Sequence, residues 1–138
     1  MERRMRNGAR LPEITLGGSD HARLTSLATA ALDHLPQAAE ELLTELDRAR
    51  IVADDAVPGD VVRMGSTVEF RTEADQKRVT LVFPADADIE AGRVSVLTPV
   101  GAALIGLTKG ESMTWSARDG RSHELTILDV EPPAQAGA

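Results

Sequence analysis

The sequence predicts an α+β fold in which a short antiparallel helical hairpin precedes a twisted antiparallel sheet wrapped on one short helix. Three observations predict it. Two stretches within residues 19–53 repeat apolar residues at helical spacing, and alternation of the β type dominates from Val61 onward. Between the later strands lies the segment 94–115, whose centre, Val100-Gly101-Ala102-Ala103-Leu104-Ile105, carries no charge on any side. A helix apolar all round has to be buried, so this segment is expected to plug the sheet. The implied divisions are a flexible arm and lead-in over 1–18, a short coiled-coil hairpin over 19–53, the sheet domain over 54–131 and a flexible tail over 132–138.

Along the chain, residues 1–10 hold Arg3, Arg4, Arg6 and Arg10 against Glu2 without periodicity, and read as a disordered basic arm. Residues 11–16 are apolar and β-branched but interrupted by Pro12, as in an edge strand or an extended lead-in. Gly17-Gly18-Ser19-Asp20 signals a helix start, with Ser19 or Asp20 as the cap. Leu24, Leu27, Ala28, Ala31 and Leu35 then form one stripe. Asp33-His34-Leu35-Pro36 breaks it, and Pro36 suits the first turn of a second helix, whose stripe is Ala39, Leu42, Leu43, Leu46 and Ala49. Neither helix can bury its stripe alone, so the two should pair.

The turn formers and acids of 54–60 mark the boundary between hairpin and domain. Short strands are expected at 61–64 and 67–71, and a stronger one at 77–83, where Val79, Leu81 and Phe83 alternate with Arg78, Thr80 and Val82. An acidic loop covers 84–92. In the central segment, Val94, Val96 and Leu97 suit a strand, Pro99 opens the short helix, Gly106 closes it, and 112–117 resumes a strand carrying Trp115. Asp119-Gly120 is a hairpin signal before the last strand, 123–130.

Composition narrows the function. A chain of 138 residues buries one modest core, and with aromatics at only 2% that core has to be aliphatic. A net charge of −7 argues against binding a nucleic-acid backbone, which needs clustered Lys and Arg, and favours a protein partner with a basic surface. The absence of Cys removes disulfides, thiolate zinc sites and thiol nucleophiles, and fits a reducing compartment. No apolar run is long enough to cross a bilayer and no signal-peptide core is present, so a cytoplasmic protein is expected. A paired hairpin on a closed domain leaves no need for a partner subunit, so a monomer is expected. His21, His34 and His123 have no second ligand at metal-binding spacing, no G-x-S-x-G anchors a nucleophile, and Gly17-Gly18-Ser19 lacks the Lys of a phosphate-binding loop. Neither a metal, a cofactor nor catalysis is expected.

The central segment resembles the signature of the C-terminal domain of the bacterial Gre transcription factors, through Thr98-Pro99, Ala102-Ala103-Leu104-Ile105-Gly106 and Gly110-Glu111. It is more similar still to the Rnk family, regulators of nucleoside diphosphate kinase. The similarity extends to L-D-R-A-R at 46–50 and D-V-V-R-M-G-S-T-V-E-F at 60–70, and covers roughly residues 42–131.

The resemblance implies an FKBP-like sheet domain. It implies RNA polymerase as the partner, because in Gre factors a long coiled coil enters the secondary channel and acidic residues at its tip help hold a catalytic Mg²⁺. The residues at or near the tip here are Asp33, His34, Gln37, Glu40 and Glu41. In the same family the loop before the short helix contacts a coiled coil at the channel rim, which points to Leu97, Thr98 and Pro99, with Leu97 departing from the polar residue usual in Gre factors. From Asp20 to His34 an arm spans only ~22 Å at 1.5 Å per residue. The expectation is therefore a non-enzymatic regulator that occupies the channel entrance, competes with Gre-type factors and does not stimulate transcript cleavage, with any effect on nucleoside diphosphate kinase exerted indirectly. The alternative is an adaptor that binds that kinase or another protein through the hairpin. Isomerase activity, which an FKBP-like fold invites, is disfavoured because only Phe70, Phe83 and Trp115 are available to line an aromatic pocket.

Overall fold

The structure, a computed structural model, describes residues 12–116 and 120–133, with the side chains of Trp115 and Ser116 outside that description. Asp119 of the expected last turn and Trp115 as a core side chain fall outside it too. In order, the elements are β1 (Thr15–Gly17), α1 (Gly18–Ala31), α2 (Pro36–Arg48), β2 (Arg50–Val52), β3 (Thr67–Thr72), β4 (Gln76–Val82), β5 (Arg93–Ser95), α3 (Pro99–Leu104), β6 (Ser112–Ser116) and β7 (Ser122–Glu131). The chain is α+β, as its patterning predicts.

A five-stranded sheet runs in the order β5-β4-β3-β7-β6. Its β3–β4, β3–β7 and β6–β7 pairs are antiparallel, but β5 joins β4 in parallel. That one pair corrects the all-antiparallel expectation. After β4 the chain makes two 3-10 turns, Pro84–Asp86 and Ile89–Ala91, and Gly92 at φ 77° turns it back to the start of the edge, so β5 runs in the same direction as its neighbour. The strand expected at 61–64 is not formed. Val61 makes an isolated bridge to Thr108, and Val62 exchanges backbone bonds with Leu107 and Gly106 while its side chain is buried.

The uncharged segment is the centre of the domain. Thr98 caps α3 with its hydroxyl, which accepts a bond from Gly101 N at 3.0 Å and donates to the Ser95 carbonyl at 2.7 Å. Pro99 takes the first helical position, where its missing N–H leaves nothing unpaired. Residues 101–107 are all buried, and Gly106, at φ 82°, ends the segment. Gly101 marks the closest approach: a Cβ there would lie 2.2 Å from the Ser95 carbonyl oxygen and 2.9 Å from Val96 Cα, both backbone atoms.

The lead-in, expected over 11–16 as an edge strand or an extended segment, is part of the fold from Ile14 onward and forms the short strand β1. Ile14 and Leu16 are buried, β1 pairs in parallel with β2, and Thr15 N donates to the Gly106 carbonyl. The physical reason is that two large aliphatic side chains and their backbone groups are satisfied together by inserting between the hairpin and the end of α3. The core is correspondingly continuous. It runs from Leu24, Ala28, Leu42 and Leu46 of the hairpin through Ile14 and Leu16 to Leu81, Leu104 and Leu125. The turn at 54–60 separates hairpin from domain along the chain without dividing the core.

Replacing Gly101 by Ala should destabilise the protein by about 3 kcal/mol, lowering Tm by roughly 10 °C, because the obstructing atoms are backbone and cannot rotate away. Thermal unfolding followed by circular dichroism measures this, and an unchanged midpoint would contradict the close packing described.

Candidate functional site

Two surfaces are exposed for a partner, the hairpin and the start of α3. The hairpin arms contain 14 and 13 residues, so each reaches only about 20 Å. Buried Leu24, Ala28 and Ala31 of α1 face Ala38, Ala39, Leu42 and Leu46 of α2. Small residues nearest the tip let the arms close there, and His34 N and Leu35 N both bond to the Ala31 carbonyl. Leu35, expected to continue the first stripe, instead leaves the helix and is 41% exposed beside Leu32 at 36%. Asp33, His34, Gln37 and Glu40 are exposed and Glu41 is half-buried. Among the described residues, no three His, Asp or Glu side chains converge as a metal site would need.

The base of the hairpin is held by contacts that local sequence does not announce. Neither Ser19 nor Asp20 caps α1. The group at its N-terminus is the Asp54 carboxylate, which accepts bonds from Ser19 N at 2.9 Å and from the Ser19 hydroxyl. A carboxylate suits the positive end of a helix, and Gly17 leaves room for it, since a Cβ there would lie 2.9 Å from Asp54 Oδ1. The bonds from the Ser19 hydroxyl and then its backbone N–H hold the Asp54 pKa below the ordinary aspartate value. Asp20, freed from capping, accepts from Met64 N at 3.3 Å and so ties α1 to the domain. On α2, the Arg48 guanidinium is fixed by Glu45 and donates to the Pro12 carbonyl at 2.6 Å. His21 Nε2 donates to the Leu46 carbonyl at 3.0 Å, joining the two arms, and Arg23 lies 4.5 Å above the Phe83 ring. The arm is therefore fixed to the sheet domain through both helices.

At the start of α3, Thr98 and Pro99 are half-buried and open to a partner. Leu97 is not: it is 6% exposed and its N–H is tied to the Ser95 hydroxyl at 3.0 Å. Leu97 is thereby corrected from a surface contact to a core side chain, because the residue before the cap points into the sheet and an aliphatic group is stabilised there. The structure brings Thr98 and Pro99 together and joins neither to the tip residues by a hydrogen bond or ion pair. Beside Thr98 opens a groove of about 650 Å³ that the sequence does not reveal, bounded by β4, β5 and the loop 84–92. Its lip includes Ile89, 88% exposed. An isoleucine alone within an acidic loop is the one sequence signal that marks it.

The family described as "Transcription elongation factor, GreA/GreB, C-term" matches residues 57–132, and "Rnk N-terminus" matches residues 12–52. The Regulator of nucleoside diphosphate kinase from Escherichia coli (strain K12) is 40% identical over 130 residues, covering 91% of this chain and 95% of its own. This chain belongs to the Rnk family. As a Rnk protein it is also similar to the Gre factors. Transcription elongation factor GreA from Rhodospirillum rubrum is 36% identical over 92 residues, which are 64% of this chain and 59% of that protein. The solved structure of a prokaryotic transcription elongation factor GreA/GreB from Nitrosomonas europaea superimposes with a TM-score of 0.69 at 34% identity, covering 86% of this chain and 99% of that one. The Rnk chain is thus a Gre-factor-like regulator, and the Thr98-Pro99 start of α3 lies within the matched Gre-type region.

Asp54 gives the hairpin base a pH dependence. Its pKa is lower in the folded state than in the unfolded chain, so its contribution is fully present above the unfolded value and is lost as pH falls through the lowered one. Asp54→Asn should therefore lower the urea midpoint at neutral pH, and the gap from the parent should close in acid below the usual aspartate range. A gap that persists unchanged in acid would show that the carboxylate charge is not what stabilises α1.

Proposed function

We propose that this protein is a non-enzymatic transcription regulator that binds bacterial RNA polymerase at the entrance of the secondary channel. It competes there with Gre-type factors and does not stimulate transcript cleavage. The observation that carries the reading is the combination of a Gre-type domain, with Thr98 and Pro99 open at the start of α3, and a hairpin whose arms are only 14 and 13 residues long. The domain is the part that docks. The arm then decides what happens beyond the docking point. At about 20 Å and fixed at its base by Asp54, Asp20 and Arg48, it enters the channel and ends short of the catalytic centre. The tip supports this reading, since Asp33, Glu40 and Glu41 are not gathered with a third ligand into a cation site among the described residues. Any influence on nucleoside diphosphate kinase then runs through expression of that enzyme.

The name of the Escherichia coli relative, together with the exposed Leu32 and Leu35 at the tip, favours one second reading, an adaptor that touches nucleoside diphosphate kinase or another protein through the hairpin. Mixing with the purified kinase distinguishes it.

Two outcomes are expected. Purified protein should bind bacterial core RNA polymerase at low micromolar concentration or tighter, a Gre factor should displace it, and backtracked complexes should show no stimulated RNA cleavage. Robust cleavage, or binding that the Gre factor leaves untouched, would refute the reading. Pro99→Ala should weaken that binding about tenfold while changing stability by less than about 1 kcal/mol, since Ala is compatible with a first helical turn. Equal affinity would remove Pro99 from the contact.

A further inference from the structure

We infer that the chain's own basic segment, residues 1–10, lies along the acidic outer flank of α2 and masks Glu40 and Glu41 from a basic partner. The inference is independent of the polymerase reading above, because it concerns a contact within one chain.

The hairpin carries charge of one sign. From Leu24 to Asp47 the sequence holds Asp33, Glu40, Glu41, Glu45 and Asp47 and neither Lys nor Arg. On α2 the acids fall on two neighbouring flanks. Glu41, Glu45 and Arg48 recur at helical spacing on one, and Glu40, Thr44 and Asp47 on the next. Glu45 is answered by Arg48, whereas Glu40, Glu41 and Asp47 make no ion pair among the described residues. Glu40 and Asp47 are exposed and Glu41 is half-buried. Their placement is unfavourable in two respects. Glu45 and Asp47 stand in the last turn, at the negative end of the helix dipole, and Glu41 lies one turn from Glu45 with the same sign. Cations brought to this flank relieve both.

Such cations are tethered beside it. Residues 1–11 lie outside the described structure, but their point of attachment is within it. The Pro12 carbonyl accepts from Arg48 Nη1 at 2.6 Å, in the last turn of α2, so Arg10 precedes that contact by only two residues. Residues 1–10 carry Arg3, Arg4, Arg6 and Arg10 against Glu2, in a chain whose net charge is −7. Ten extended residues reach up to ~33 Å, and α2 is about 20 Å long. The segment is therefore long enough to run from Arg48 to Glu40. A short tether gives an effective concentration of order millimolar, at which several individually weak surface pairs suffice. The other acidic surface, the loop holding Asp86, Asp88 and Glu90, is worse placed. It leads into β5 at one edge of the sheet, whereas Arg48 touches Met113 of β6 at the opposite edge. Asp88 is also bridged through its backbone to Arg93, so that loop has a cation of its own. The match to the Rnk N-terminus begins at residue 12, so the contact belongs to this chain's own extension and not to the matched region.

The test is paramagnetic broadening of amide resonances in the full chain. The sequence has no Cys, so Met5→Cys carries a single nitroxide label between Arg4 and Arg6. In about 0.01 M salt the label should broaden the amides of Glu40, Glu41 and Thr44, and about 1 M salt should reduce that effect about twofold or more. Glu40→Gln with Glu41→Gln should reduce it about twofold in low salt, as should Arg3→Ser with Arg4→Ser and Arg6→Ser, which leaves the folded part untouched. Asp86→Asn with Glu90→Gln removes the same charge from the other acidic surface and should leave the broadening unchanged. Hexaarginine peptide at millimolar concentration, standing for a basic partner, should release the segment beyond the effect of sodium chloride at equal ionic strength. The amide spectra themselves report whether each variant folds. Broadening that neither the α2 variant nor the arginine variant changes means that the tether alone brings the label near, and the inference fails. A loop variant as effective as the α2 variant reduces the contact to general attraction and overturns it as well. Release by hexaarginine no greater than by salt would show that the segment does not mask these acids from a basic partner.

Discussion

The sheet domain depends on one backbone contact, that of Gly101 against the carbonyl of Ser95. Only a residue without a Cβ lets α3 lie this close to the strand it follows. That distance decides the rest. It buries an uncharged helix turn against the sheet, draws Leu97 inward ahead of the cap, and leaves the far end of the same face uncovered. Thr98 closes the contact from both sides, since its hydroxyl accepts from Gly101 and donates to the same Ser95 carbonyl. The start of α3 is thus rigid because its own backbone bonds are satisfied, and a rigid edge would lose little freedom on being bound.

The hairpin follows a different logic. Its two arms bury small and aliphatic side chains against each other, but its direction is set at the base, by polar groups far apart in sequence. Asp54 serves the N-terminus of α1 from beyond α2, Asp20 reaches the backbone at Met64, and Arg48 reaches back to Pro12. Each is a charged side chain satisfying a backbone group, the kind of contact that holds an orientation even where its net contribution to stability is modest. Exposed residues are concentrated at the opposite end, where Leu32, Asp33, His34 and Leu35 form the tip.

What the sequence reveals and what it hides divide along the same line. Periodicity within a short window was enough for α1, α2 and the alternating strand at Val79 and Leu81, and the absence of charge between Pro99 and Gly106 was enough for α3, because each signal is local. The helix start at Pro99 and its end at Gly106 were readable for the same reason. Pairings made across the chain were not. Nothing near Ser19 indicates that Asp54 will displace it as the cap, nothing near Pro12 that Ile14 and Leu16 will enter the core through a parallel pair with β2, and nothing in 84–92 that the chain will return in the same direction as β4. Of the candidate site, Thr98 and Pro99 were pointed to by the resemblance to the Gre signature and not by local chemistry, whereas Leu97, named with them, is buried, because burial of a single residue depends on which way one peptide turns. The groove is marked in the sequence only by Ile89, alone in an acidic loop, since its other apolar lining residues read as ordinary core.

The short parallel pair of β1 and β2 has a further consequence. It ties the strand entering the hairpin to the strand leaving it, so the hairpin is a closed loop whose two ends stay side by side whatever lies between them. Residues added in equal number to both arms change neither end. Seven per arm preserve the seam between the helices and extend the tip by about 10 Å. Reach is therefore a separable variable in this architecture: a sheet domain of fixed shape carries an arm whose extent is written in the length of a single internal segment, and selection can lengthen or shorten that segment without redesigning what holds it.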